Sequence, residues 1–278
     1  MTGAPLGVFD SGLGGLTVVR ALRALLPGES LVYLGDTARL PYGTRSADTI
    51  LRYARSCATV LTARGVKALV IACNTASAVA LDMLRAELDL PVIGVIEPGA
   101  TAAVEIAARL AREGDSRNGR VGVLGTARTI ASGAYVRAVG QLSTRLEVMG
   151  QAAPLLVPLI EEGWLDGEVP RLAVERYLRP LILADVGVIV LGCTHYPLLR
   201  ETIASVAADL AGRPVAVIDS AEATALAVRE LLTARGLSAT GTGAGTLELL
   251  VTDFPASFAA MAERFLGAGV PPVEQIDL

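Results

Sequence analysis

The chain has 278 residues, 52% of them hydrophobic and 4% aromatic, and a formal net charge of −4. That length allows one large domain or two of ordinary size at roughly 100–200 residues each, with apolar residues enough for a substantial core. The acidic balance, a single lysine (Lys67) and the lack of any Lys/Arg block argue against a nucleic acid or an anionic membrane as the partner.

Three cysteines, at 57, 73 and 193, and one histidine, His195, make neither a disulfide framework nor a Cys/His metal site, so no metal is expected. The opening MTGAPLGVFDSG has no basic stretch followed by an apolar one. No apolar run approaches the roughly 18 residues of a membrane span. The expected setting is a reducing cytoplasm.

Leu6–Phe9 reads as a short strand running into Asp10-Ser11-Gly12-Leu13-Gly14-Gly15. Apolar spacing predicts a helix over 16–26, then a strand over 30–34 ending in Gly35-Asp36-Thr37. A loop with Pro41-Tyr42-Gly43 precedes a long helix over 47–64. Ala68–Ser77, ALVIACNTAS, is a buried strand that ends at Cys73, with Asn74-Thr75 opening the next helix. A strand over 91–96 follows, Glu97-Pro98-Gly99 reads as a crossover, and a helix is predicted over 100–112, with a polar loop over 113–119.

The second half repeats the plan. A strand over 121–124 ends in Gly125-Thr126, and one helix is predicted over 127–141. A strand is placed near 145–149, an extended apolar segment over 154–160 ending in Glu161-Glu162, and a helix over 169–183. Then comes VIVLGCTHYPLL, a strand broken at Gly192 and followed by Cys193, with Thr194 positioned to cap a helix. A strand over 215–218, a helix to about 235, a Gly/Thr-rich loop over 236–245, a strand over 247–251 and a helix over 256–265 close the chain.

Alternating strands and helices predict an α/β fold of two similar parallel-sheet domains. The expected division is 1–97 plus 212–278 for the first and 98–211 for the second. The duplication is visible in the spacing: 63 residues separate Asp10 from Cys73, and 67 separate Thr126 from Cys193. Ligands of open α/β sheets bind beyond the carboxyl ends of the strands. Asp10, Ser11, Cys73, Asn74, Thr126, Cys193, Thr194 and His195 all fall at such ends, and two facing lobes would gather them in one cleft.

A free cysteine is often a small buried hydrophobe, and Cys57, inside a helix, keeps that reading. Two thiols at matched strand ends, one two residues from the only histidine, point instead to two acid–base groups on either side of a small substrate. His195 is read as a partner of Cys193, Asp10 as a helix cap or a partner of Cys73, and Glu161 as a surface charge or a carboxylate orienting His195. Gly12-Leu13-Gly14-Gly15 is an incomplete dinucleotide fingerprint: Thr17 stands where its third glycine belongs, and Asp10 would repel a pyrophosphate.

FDSGLGGLTV, LGDTARLPYG, ACNTASA, PLIEEGW and LGCTHYPLL resemble, in this order, the motifs of the bacterial glutamate racemases of the aspartate/glutamate racemase family. The likeness covers nearly the whole chain; Leu13 stands where valine is common, and the 236–245 loop and the termini lie outside it. The resemblance implies an isomerase without a cofactor that interconverts L- and D-glutamate and supplies D-glutamate for peptidoglycan. It implies Cys73 and Cys193 as the acid–base pair, Asp10 assisting the first, and Glu161 and His195 the second. Asp10-Ser11, Tyr42-Gly43, Asn74-Thr75 and Thr194-His195 would bind substrate, with Thr126 a further hydroxyl donor, and a homodimer is expected. Aspartate racemases share the fold and the paired cysteines, so aspartate stays open as a substrate. A non-catalytic amino-acid-binding protein is the alternative outside enzymes.

Overall fold

The structure, a computed structural model, describes residues 2–113, 119–241, 243–267 and 269–278. Most of the polar loop expected over 113–119 lies outside the described residues. In chain order the elements are β1 (Leu6–Asp10), α1 (Leu16–Leu25), β2 (Leu31–Gly35), α2 (Ala47–Ala63), β3 (Ala68–Ile71), α3 (Asn74–Glu87), β4 (Val92–Gly94), α4 (Ile96–Arg112), β5 (Arg120–Gly125), α5 (Ala127–Ala131), α6 (Ala134–Leu142), β6 (Glu147–Ala152), α7 (Leu156–Glu161), α8 (Glu168–Leu183), β7 (Val188–Gly192), α9 (Arg200–Ala211), β8 (Ala216–Asp219), α10 (Ser220–Ala234), β9 (Leu247–Val251), α11 (Pro255–Leu266) and β10 (Val273–Gln275).

Two parallel sheets result, ordered β10-β9-β2-β1-β3-β4 and β6-β5-β7-β8. The order β2-β1-β3-β4 of the first recurs as β6-β5-β7-β8 in the second, so the duplication legible in the spacing is a duplication of topology. The central strands β1, β3 and β7 are buried along their whole length, as strands covered on both faces must be. Helices pair as α1 with α11 and α2 with α3 in the first unit, and as α4 with α6 and α8 with α9 in the second.

The chain divides into one unit of Met1–Val95 with Ala221–Leu278 and another of Ile96–Ser220. The chain returns to the first unit after Ser220. β8 hydrogen-bonds to β7, from Val188↔Ala216 to Leu191↔Asp219, and belongs with the second sheet.

Four local expectations are corrected. Glu97-Pro98-Gly99 adjoins the crossing between units at Val95–Ile96, but it is helical, within the first turns of α4, where a proline N–H would have had no helical partner. The single helix over 127–141 is two, α5 and α6, separated at Gly133, whose φ of 65° is left-handed. The segment 154–160 is not extended: Leu156, Leu159 and Ile160 are buried at helical spacing in α7. β10, which pairs with β9, was not expected as a strand.

A buried ion pair ties the first unit together. Lys67 Nζ lies 2.5 Å from Glu29 Oε2, with both side chains nearly inaccessible. The ammonium also donates to the carbonyls of Thr2 (3.1 Å) and Leu237 (2.8 Å), and Glu29 Oε1 accepts the Ala239 N–H at 2.7 Å. Two carbonyl acceptors and an adjacent carboxylate charge are what make a buried lysine tolerable here.

Candidate active site

In the first unit the expected residues gather beyond the carboxyl ends of β1 and β3. Cys73 is the N-cap of α3, and its Sγ accepts the Ala76 N–H at 3.4 Å. The thiol also reaches Ser11 Oγ at 3.7 Å. A sulfur in this position faces the free N–H groups and positive end of a fourteen-residue helix, which favour an anion. Asn74 and Thr75 are buried in the first turn beside it.

Asp10 is fully buried and accepts the Gly12 N–H at 3.0 Å. The chain must pass close over it. A Cβ at Gly15 would lie 2.5 Å from Asp10 Cβ, so only glycine fits there. Behind this turn Tyr33 donates its hydroxyl to Gly12 O at 2.8 Å. Burial first, then the charges of Asp10 and Cys73, hold that phenol well above its usual range, so it stays a neutral donor.

The expected substrate pair Tyr42-Gly43 opens a 3-10 turn, Tyr42–Thr44, that packs against α3. The Tyr42 hydroxyl is turned inward to the Asp36 carboxylate, which also accepts from Arg39 Nε (2.7 and 2.9 Å) and Thr252 Oγ1 (3.1 Å). Tyr42 can therefore offer a ligand its backbone N–H rather than its phenol. Cys57 borders the same network, 3.8 Å from the Arg39 guanidinium. Burial and then the Asp36 charge push its thiol up to about 12, so it stays protonated and takes no part in proton transfer near neutrality.

In the second unit Cys193, Thr194 and His195 follow β7, and all three are buried. Here the geometry departs from the first unit. Cys193 leads into a 3-10 turn, Tyr196–Leu199, with His195 rather than Thr194 at its start, and α9 begins only at Arg200. The Tyr196 N–H goes to Cys193 O at 3.1 Å, not to the sulfur.

The sulfur instead lies 3.9 Å from His195 Nδ1, while His195 Nε2 meets Glu161 Oε1 at 3.0 Å. Burial pulls the imidazole pKa down. Hydrogen bonds to Cys193 and Glu161, and then their charges, outweigh it and push it up to about 10. At neutral pH the ring is a cation between a sulfur and a carboxylate. Thr126, at the end of β5, accepts the Thr129 N–H at 3.2 Å and so caps α5.

Tyr33 in the first unit, and Tyr135 and Tyr196 in the second, support these residues and were not singled out from sequence. Tyr135 packs over Gly192, and its phenol is held above its ordinary value by burial and then by the Cys193 charge. Tyr196 lay inside the CTHYPL stretch, yet nothing in its spacing says what a tyrosine hydroxyl will reach. Among the described residues no group of three or more His, Cys, Asp or Glu could hold a metal ion, and no helix is long and apolar enough to cross a membrane.

The Asp/Glu/Hydantoin racemase family model matches residues 16–228. A glutamate racemase of Geobacter metallireducens is 46% identical over 273 residues, 98% of this chain and 96% of that protein. The crystal structure of a glutamate racemase isoform from Bacillus anthracis matches with a TM-score of 0.91 at 37% identity, covering 100% of this chain and 99% of the other. The Francisella tularensis glutamate racemase in complex with D-glutamate matches with a TM-score of 0.88 at 34% identity, covering 100% and 98%. With two sheets of one repeated order, a thiol at the matching strand end of each, and full-length likeness to these proteins, the chain belongs to the Asp/Glu/hydantoin racemase family, among its glutamate racemases.

Proposed function

We propose that this protein interconverts L- and D-glutamate by moving the α-proton between two thiols, Cys73 and Cys193, without a cofactor. The observation that carries the reading is the pairing of topology with chemistry: each sheet ends its third strand in a cysteine supported by a different thiolate-stabilising device. The Francisella relative binds D-glutamate, which fits the substrate.

The thiolate of one cysteine takes the α-proton and becomes a thiol. The other thiol delivers its proton to the opposite face of the α-carbon and becomes a thiolate. One base per face inverts the centre if the substrate stays fixed. The transient carbanion is stabilised by the substrate's own ammonium and by hydrogen bonds to its carboxylate. Ser11, Thr75, Thr126, Thr194 and the N–H groups of Tyr42-Gly43 and Asn74 supply such donors. Asp10 assists Cys73, while His195, oriented by Glu161, assists Cys193. The product serves peptidoglycan synthesis in the cytoplasm, and the working form is a homodimer.

The deciding experiment incubates L-glutamate, and separately L-aspartate, with the protein in D₂O without added cofactor, followed by NMR and chiral analysis. Deuterium at the α-carbon together with D-glutamate is the expected result. Exchange of aspartate alone would keep the mechanism and change the substrate. Exchange of neither would leave a binding protein.

A further inference from the structure

Three residues after each cysteine the two units differ. In the first that residue is Ala76, whose N–H caps the sulfur at 3.4 Å. In the second it is Tyr196, whose N–H bonds the Cys193 carbonyl and whose ring is fully buried. The Tyr196 hydroxyl donates to Ala153 O at 2.8 Å and lies 3.3 Å from Gly125 O. Gly125 ends β5, Ala153 directly follows β6, and the Ala153 N–H bonds Gly125 O at 2.9 Å. Ala153 leads into α7, and α7 ends at Glu161 and packs against the 3-10 turn that Tyr196 opens.

One hydroxyl thus fastens the segment bearing Cys193 and His195 to the segment that delivers Glu161. We propose that Tyr196 is a positioning residue of the proposed racemisation: through Ala153 and Gly125 it fixes the separation of His195 from Glu161, and so the placement of the imidazole against the Cys193 sulfur. The inference rests on the functional reading above for its effect on turnover, but not for its effect on the imidazole. Among the described residues, Cys193 from its own segment and Glu161 from α7 are titratable groups that meet this ring. The hydroxyl cannot act as a base itself, because burial and then the Cys193 charge hold it well above the ordinary phenol range.

His195 is the only histidine, so its side-chain resonances in the ¹⁵N-labelled full-length protein are unambiguous. Tyr196→Phe keeps the ring and removes the bond. The expected result is a folded protein whose His195 titration midpoint falls by about one pH unit or more toward the ordinary 6.5, since a loosened carboxylate holds the proton less well. Turnover should fall about tenfold in kcat with KM nearly unchanged. Glu161→Gln should lower the midpoint too, and the double variant should go little beyond it, as expected of residues acting through one contact.

An unmoved midpoint in Tyr196→Phe, with Glu161→Gln still lowering it, overturns the inference. So does full additivity of the two changes. If Phe prevents folding, 3-fluorotyrosine placed at 196 retains a hydroxyl that donates more strongly and must leave the midpoint at or above the wild-type value; a fall overturns the inference. Failure of the wild-type protein to racemise glutamate would overturn the functional reading alone, because the titration needs no turnover.

Discussion

His195 shows how much one side chain's surroundings decide. Alone in an apolar interior an imidazole would lose its charge. Held between Cys193 and Glu161 it keeps the charge to about pH 10. The raised value also contributes to stability, fully below the unfolded value near 6.5, and this contribution is lost as pH rises through about 10. Thermal melts of wild type and His195→Gln across that range should therefore differ most at its acid end and converge at its alkaline end. A constant difference would mean that the charge plays no part. Replacing Cys73 or Cys193 by alanine should each cost about 10²–10⁴-fold in α-proton exchange, the usual weight of a general acid or base. Cys57→Ser, by contrast, should retain wild-type exchange, because that thiol stays protonated beside Arg39 and Asp36. At this scale the placement of both thiols and the histidine at strand ends was legible in sequence. The 3.9 and 3.0 Å contacts that join Cys193, His195 and Glu161 were not, since Glu161 and His195 are 34 residues apart and meet only in the fold.

Elements were legible where burial and period agree, as in β1, β3 and β7, and less so where a single residue overrides a longer pattern. The break between α5 and α6 is the instance. Residues 127–141 carry helical spacing throughout, but Gly133 takes a left-handed φ of 65° and starts a new helix axis. An L-residue pays for that conformation, so Gly133→Val should destabilise the protein by about 1–2 kcal/mol in denaturant melts while leaving the first unit's stability untouched. α7 misleads in the other direction. Two prolines and a run of leucines look extended, yet Pro158 falls in the first turn of the helix, where no N–H is needed. Its residues at 156, 159 and 160 already carried the helical spacing, and a longer window would have shown it. The same helix places Glu161 at its last position, turning a residue that read equally as a surface charge into the partner of His195.

At the scale of the whole molecule, one four-strand order serves twice, and the chain leaves the first unit after Val95 and rejoins it at Ala221. The rejoining segment adds β9 and β10 to the first sheet, and Leu237 and Ala239 within it close over the buried Lys67–Glu29 pair. Lys67→Met should leave Glu29 buried without its cation and cost about 3–5 kcal/mol, with faster amide exchange in β1, β2, β3 and β9 and unchanged exchange in β5 and β7. Equal loss of protection in both sheets would show that the pair stabilises more than its own unit.

That same pair has a bearing on chemical labelling. The only ε-amine in the chain is sealed behind two carbonyls and a carboxylate, so an acylating reagent meets no lysine on the folded surface. Modification at Lys67 then becomes a clock for opening of the first unit. Its rate, read by mass spectrometry of the peptide around residue 67, should follow denaturant concentration as the unfolded fraction does. A coupling chemistry aimed at lysines would leave the native protein's surface carboxylates and guanidinium groups untouched.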